Sequence, residues 1–369
     1  MVPSLGARRA GQLIERFRTP QAIFRASASE LEAAGLLSAV ARSIASGCAF
    51  EDAVVQQEKL LANGAVAIPI TDPRYPPRLR EIFDPPLVLF ARGQTDLLGS
   101  VMIAVVGTRR PTPYGAAVAE RLASDLGLAG VTVASGMARG IDTAAHRGAL
   151  SAGAGTVAVF GCGVDVLYPA ENRRLMTEII EKGLVISEFP MATPAYPQNF
   201  PIRNRIVSGM GIGVVVVEGA QYSGSAITAR LALDQGREVY AVPGNITSKM
   251  SWGPNLLIKQ GAKLVQDAGD VLEELPVEDK RRLAEGMRQR LGLAGEADGG
   301  GQRELPLGPM NEIARKLLEL LTVDTATHID ELLARMEHFS SSEIIAALFE
   351  LELLGLVKQL PGRNFVKVW

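Results

Sequence analysis

The sequence predicts an α/β protein built on a doubly wound, mostly parallel sheet, with a small helical domain before it and a winged-helix unit after it. Three observations predict this. Between Val101 and Val265, short β-branched apolar runs alternate with helix-period segments. Runs such as Val214 to Val217 carry no polar alternation, which suits strands covered on both faces. Beyond Pro276 the pattern breaks into charged and Gly-rich sequence, then resumes as three helical periods and two short strand-like runs. A chain of 369 residues has room for two or three such domains.

Residues 1–66 read as a helical domain. Val2 to Arg9, followed by Ala10 to Phe17, resembles the hairpin and second helix of a helix-hairpin-helix or SAM-like unit. Ser4 stands where a glycine would ease the bend, so a helical module packed on the core is favoured over a DNA contact. Residues 67–275 form the sheet domain, entered through a proline-rich connector from Ile68 to Phe90. Its prolines fix φ and remove donors, which predicts an extended segment rather than a helix. Strands are expected near 102–106, 131–134, 156–160, 184–187, 213–217, 239–242 and 263–265. Residues 276–309, charged and then Gly-rich at Gly299 to Gly301, read as a flexible linker.

Residues 310–369 read as a winged helix: helices at Asn311–Leu321, Ile329–Met336 and Ser341–Leu354, then strands either side of Pro361-Gly362. The third helix holds Glu343, Glu350 and Glu352 and no Lys or Arg. A major-groove helix needs cations for phosphate and forked donors for bases. A protein-contact or autoregulatory role is therefore expected of this unit.

Composition bounds the function. Formal charge is −2 with a pI near 6.1, so any polyanion contact must come from local clustering. The two cysteines, Cys48 and Cys162, and the three histidines have no metal-ligand spacing, so neither a structural metal nor a disulfide framework is expected, and no cofactor. No signal peptide or membrane-length apolar run is read, and a cytoplasmic protein without a membrane partner is expected.

The richest stretch is Val131 to Leu150. A strand breaks into Ser135-Gly136-Met137-Ala138-Arg139-Gly140, and a helix starts near Ile141. Such a turn points free N–H groups and a helix dipole at one spot, with Arg139 at the rim. Alone, it reads equally as a phosphate cradle or a tight strand-to-helix connection. Three further loops carry comparable signals. Gly107-Thr108-Arg109-Arg110 follows the first strand, Phe200 to Arg205 opens a helix at Pro201, and Glu218 to Ser225 follows the strand 213–217. Loops after parallel strands gather along one sheet edge, so all four can line one groove.

Gly107-Thr108-Arg109, the run from Ser135-Gly136 to His146, Phe200-Pro201-Ile202-Arg203-Asn204-Arg205, Tyr222-Ser223-Gly224-Ser225 and Val242-Pro243-Gly244-Asn245 together resemble the DprA/Smf family of DNA-processing proteins. The resemblance covers about Arg74 to Leu275 and, more weakly, nearly the whole chain. It implies an extended Rossmann-like core that binds and protects incoming single-stranded DNA in natural transformation and loads RecA. Arg109, Arg139, Arg203 and Arg205 would meet phosphates. The N–H groups around Gly107, Gly136 and Gly140 would take a phosphate or base edge, with Thr108, Ser135 and Asn204 beside them. Phe200 would stack a base, or instead serve as a staple at the helix start. The family associates the end of this domain with self-association and a nearby RecA contact. The apolar excess at Leu256, Ile258 and Leu264 marks a homodimer interface, with plain core packing as the equal alternative.

Catalytic signals are sparse, and a non-enzyme is expected. There is no Gly-x-x-x-x-Gly-Lys loop. Asp142 and His146 share a helix face without a nucleophile or metal, which favours structural roles. Glu218 ends a strand before a glycine and is read as facing the groove, and nucleoside monophosphate phosphoribohydrolases of related fold use a glutamate after a Gly-rich loop. That hydrolase is the alternative reading, although their Pro-Gly-Gly-x-Gly-Thr loop is not seen.

Overall fold

The computed structural model describes residues 2, 4–47, 49–221, 223–290, 312–322, 325–336, 338–353 and 356–367. Five helices come first: α1 Ala7–Phe17, α2 Pro20–Arg25, α3 Ala28–Ala33, α4 Ser38–Ala45 and α5 Ala49–Ala62. They close around Leu13, Leu31, Ala41 and Ile44, while Leu60 of α5 packs into the next domain.

The connector then supplies β1 Val66–Pro69, the short helix α6 Pro77–Arg80 and β2 Val88–Gly93. The expectation of extended backbone there was incomplete. Pro69 is the last residue of β1, on the sheet edge, and the other prolines lie between the strands, so β1 and β2 pair antiparallel and β2 pairs antiparallel with a strand of the main sheet. The sheet proper alternates β3 Met102–Val106, α7 Pro113–Leu128, β4 Thr132–Ser135, α8 Ile141–Ser151, β5 Thr156–Val159, α9 Arg173–Lys182 and β6 Leu184–Ser187. It continues with α10 Asn199–Met210, β7 Gly213–Val216, α11 Gly224–Asp234, β8 Glu238–Ala241, α12 Trp252–Lys259 and β9 Lys263–Leu264.

These strands form a nine-stranded sheet in the order β1-β2-β6-β5-β4-β3-β7-β8-β9. From β6 to β9 every pairing is parallel. Strand parity divides the core. Ile103, Val105, Val133 and Val215 face α7 and α8, whereas Ala104, Val106, Val214 and Val216 face α10 and α11. The chain leaves β3 in one direction and β7 in the other, so the topological switch point lies between them. Their C-terminal ends form the crevice where open α/β sheets bind ligands.

Past the sheet come α13 Ala268–Leu272 and α14 Val277–Arg290. The stretch expected as linker thus opens as a helix. Leu283 is buried in the main core, and Asp279 pairs with Arg78 at 2.5 Å, which anchors what composition alone read as flexible. The Gly-rich remainder lies outside the described residues, as do Cys48 and Tyr222. The last unit comprises α15 Glu312–Leu320, β10 Thr327–His328, α16 Ile329–Arg335, α17 Ser341–Leu353, β11 Val357–Leu360 and β12 Asn364–Lys367. It closes on Leu317, Leu332, Ile344, Leu348 and Phe365. Its third helix, α17, lies against the sheet domain. Phe349 packs on the main core, and Arg363 of the wing reaches Asp267 at 3.4 Å. No described helix is long and apolar enough to cross a membrane.

Candidate nucleic-acid interface

At the switch point lies a groove of about 540 Å³, lined by Gly107 to Arg110, Gly136, Phe200, Arg203, Asn204 and Ser223 to Ser225, among others. All four loops singled out in the sequence reach it. A smaller cavity of about 290 Å³ shares Arg109, Arg110, Gly136 and Phe200 and adds Arg139, Phe160, Cys162 and Tyr168. Phe200 stands between the two as a common wall, its position set by the first turn of α10.

The aromatic is ringed by cations. The Arg109 guanidinium lies 5.5 Å from the Phe200 centroid and that of Arg203 lies 6.0 Å away, within cation–π range. Tyr168 lies tilted at 34° against Phe200, with centroids 5.3 Å apart. Arg109 and Arg110 are exposed, while Arg203 is only 3% exposed. Nη1 of Arg203 donates to the Val159 carbonyl at 2.5 Å. Glycine is required at position 136 because any Cβ there would overlap that guanidinium.

The α8 turn is built as a nest, but its anion is internal. Met137 and Gly140 take left-handed φ values of 59° and 82°. The N–H groups of Gly136 and Ala138 donate to the Asp142 carboxylate at 3.1 and 3.2 Å. Burial raises the Asp142 pKa, opposed chiefly by the charge of Arg203; burial likewise lowers that of Arg203, opposed by Asp142. His146 is not part of an acid–base pair. Its Nδ1 lies 2.7 Å from the Thr156 hydroxyl, which itself donates to the Val133 carbonyl, and burial pulls the imidazole pKa down to about 3. Cys162 is inert by the same cause, its thiol pushed up to about 12.

Three expected contacts lie elsewhere. Ser135 is fully buried and donates to the Val105 carbonyl, tying β4 to β3. Gly140 packs beneath Thr108 to Pro111 and lines neither cavity. Arg205 points away from the groove into a cluster with Glu188, at 2.5 and 2.8 Å, and Asp84 at 3.0 Å. Arg139 borders only the smaller cavity, where it pairs with Glu171 at 2.6 Å. Sequence reasoning missed Tyr168, Ile227, Thr228 and Met250. The aromatic in the loop after β5 was the one available signal.

Glu218 is buried and accepts from the Thr112 backbone N–H at 2.9 Å and its hydroxyl at 2.6 Å. Its carboxylate secures the start of α7 rather than facing the groove. Leu256 and Ile258 are half-buried on α12 and Leu264 is 41% exposed, so none of the three is fully buried.

A family model described as DNA recombination-mediator protein A matches residues 66–276, and the DprA winged helix domain matches residues 302–363. Protein Smf of Escherichia coli is 38% identical over 306 residues, 80% of this chain and 75% of that protein. DNA processing protein DprA of Bacillus subtilis is 44% identical over 215 residues, 58% of this chain and 72% of its own. The solved structure of DNA processing protein A from Streptococcus pneumoniae matches with a TM-score of 0.67 at 36% identity, covering 74% of this chain and 94% of that one. The Helicobacter pylori protein, whose structure describes a single-stranded DNA binding mode, matches with a TM-score of 0.52 at 30% identity, covering 56% of this chain and 93% of that one. The groove motifs sit inside the first matched segment and the docked C-terminal unit, apart from its last strand, inside the second, and the chain belongs to the DNA recombination-mediator protein A family, DprA/Smf.

Proposed function

We propose that the switch-point groove binds single-stranded DNA without catalysis. The observation that carries this reading is Phe200 between two cavities, with Arg109 and Arg203 within 6.0 Å of its ring centroid. Aromatic faces beside cations suit bases joined by phosphates, and only unpaired bases reach such a face. The binding mode described for the Helicobacter pylori relative supports it. Against the hydrolase alternative, Glu218 is buried and its carboxylate is held by Thr112.

From the family we further infer protection of incoming DNA in transformation, loading of RecA, a cytoplasmic setting and a homodimer through α12. The exposure of Leu264 and the half-exposure of Leu256 and Ile258 support the last. Fluorescence anisotropy with oligo-dT, matched duplex and free nucleotides at two salt concentrations tests the central reading. Preference for oligo-dT is expected; equal affinity for duplex, or release of free base from a nucleotide, rejects it.

A further inference from the structure

A second aromatic meets a cation outside the groove, in open water. Phe83, in the loop before β2, is 82% exposed, more than any other aromatic among the described residues. The Arg8 guanidinium of α1 lies 5.3 Å from its ring centroid, the same pairing that Arg109 makes with Phe200 at 5.5 Å. A single exposed ring needs no explanation in itself, but the place where this one is held gives it meaning. The Tyr75 hydroxyl donates to the Pro86 carbonyl at 2.7 Å, and Nε of Arg205 donates to the Asp84 carboxylate at 3.0 Å and to its carbonyl at 3.2 Å. Arg205 belongs to α10, whose first turn carries Phe200, so the loop is tied to the helix that sets the groove wall. Because β2 runs antiparallel to β6, the loop before β2 lies at the C-terminal end of β6, on the sheet edge where the groove opens. Phe200 packs over Gly161, just past β5, and β2 is two strands further along that edge, about 10 Å across the sheet. The helical domain flanks the same end, since Gln56 of α5 accepts from the Met191 N–H at 2.8 Å, just past β6. The first turn of α1 carries Arg8 and Arg9, both exposed, and no acidic residue. The carboxylates near the loop are already engaged, Asp84 and Glu188 by Arg205 and Glu81 by Arg237 at 3.4 Å. The charge left over is positive, as a chain of phosphates requires.

We propose that a single strand leaving the groove past Phe200 runs along the sheet edge to Phe83, where a base stacks on the ring and Arg8 and Arg9 meet the flanking phosphates. This second contact rests on the single-strand reading above. It brings the helical domain into the DNA path through side chains of α1 rather than through a hairpin backbone.

Anisotropy on the full chain tests it with oligo-dT of two lengths, about six nucleotides to fill the groove and about twenty to reach beyond it. Phe83→Ala should leave affinity for the short oligonucleotide unchanged and weaken the long one about fivefold or more, with an unchanged salt slope. Phe83→Trp should restore the long one and Phe83→Leu should not, because stacking needs a flat ring and not merely an apolar side chain. Arg8→Gln combined with Arg9→Gln should weaken the long oligonucleotide alone and flatten its salt slope. With the ring in water, melting temperatures should stay at the wild-type value, and where the Ala variant melts lower the Trp and Leu variants decide. Wild-type affinity of Phe83→Ala for the long oligonucleotide overturns the path, as does an equal loss at both lengths or full rescue by leucine. If Phe83→Ala changes sedimentation instead, the ring meets another protein chain and the path falls. Phe200→Ala separates the two readings. Its loss at both lengths, with Phe83→Ala without effect, leaves the groove standing and removes the extension. Normal binding by Phe200→Ala removes the groove and the extension together.

Discussion

Phe200 and Arg109 touch, yet they contribute by different physics, and a salt titration separates them. Phe200→Ala should weaken oligo-dT binding by about 1–3 kcal/mol with an unchanged salt slope, because stacking releases no counterions. Arg109→Ala should also flatten the slope by about one counterion equivalent. Arg203 is a poor probe, since its removal would leave Asp142 as a buried carboxylate without its compensating charge. A second residue-scale prediction concerns His146. Its pKa is about 3 when folded, against 6.5 as the ordinary value, so the unfolded chain takes up the proton first as pH falls. This contribution is fully present above about pH 6.5 and is lost toward pH 3, at up to about 1.4 kcal/mol per pH unit. Asp142, raised by burial, works in the opposite sense. Denaturant midpoints at pH 7 and 5 should therefore be compared with those of His146→Gln, which should show the shallower loss. Much of this site was legible, because residues at strand ends are placed by local pattern: Gly107, Arg109, Gly136 and Phe200 all reach the groove. Arg203 and Arg205, two apart on a helix, face different ways, so both could not enter it. Which of them would do so depended on Asp84 and Glu188, and Asp84 lies far away in sequence.

Elements repeat the lesson. The seven expected strands are present to within about a residue at most ends, since buried parallel strands announce themselves as apolar runs. β1 and β2 were missed because prolines obscured their alternation and β2 joins the sheet through a distant strand, β6. The nest before α8 was legible as geometry but not as chemistry, because its occupant is the helix's own Asp142. α12 carries the next prediction. Ile258→Glu would bury an unpaired carboxylate in the proposed dimer, which favours dissociation. The variant should sediment as a monomer, keep its affinity for short oligonucleotides and lose the bivalent gain on long ones. Insolubility would mark Ile258 as core, and a wild type that is monomeric at micromolar concentration would remove the dimer altogether.

For the molecule as a whole, the winged helix turns α17 inward. Ile345, Ala346, Phe349 and Glu352 line a space shared with Arg121, Asp125 and Leu272 of the sheet domain. A helix so covered does not lie in a major groove, so deleting residues from 310 onward should leave oligo-dT affinity within a few-fold while lowering the melting temperature. Loss of most binding in the truncated protein would assign DNA contacts to the wing around Arg363 and Lys367. The carboxylates of Asp142 and Glu218 carry a last consequence, now for competition. A free nucleotide brings a single anionic end and finds two of the helix mouths taken from within. A strand brings many linked phosphates, each holding its neighbours near the groove. Occupancy then grows with polymer length, and monomers are weak rivals for the groove below the strand's effective concentration, on the order of millimolar.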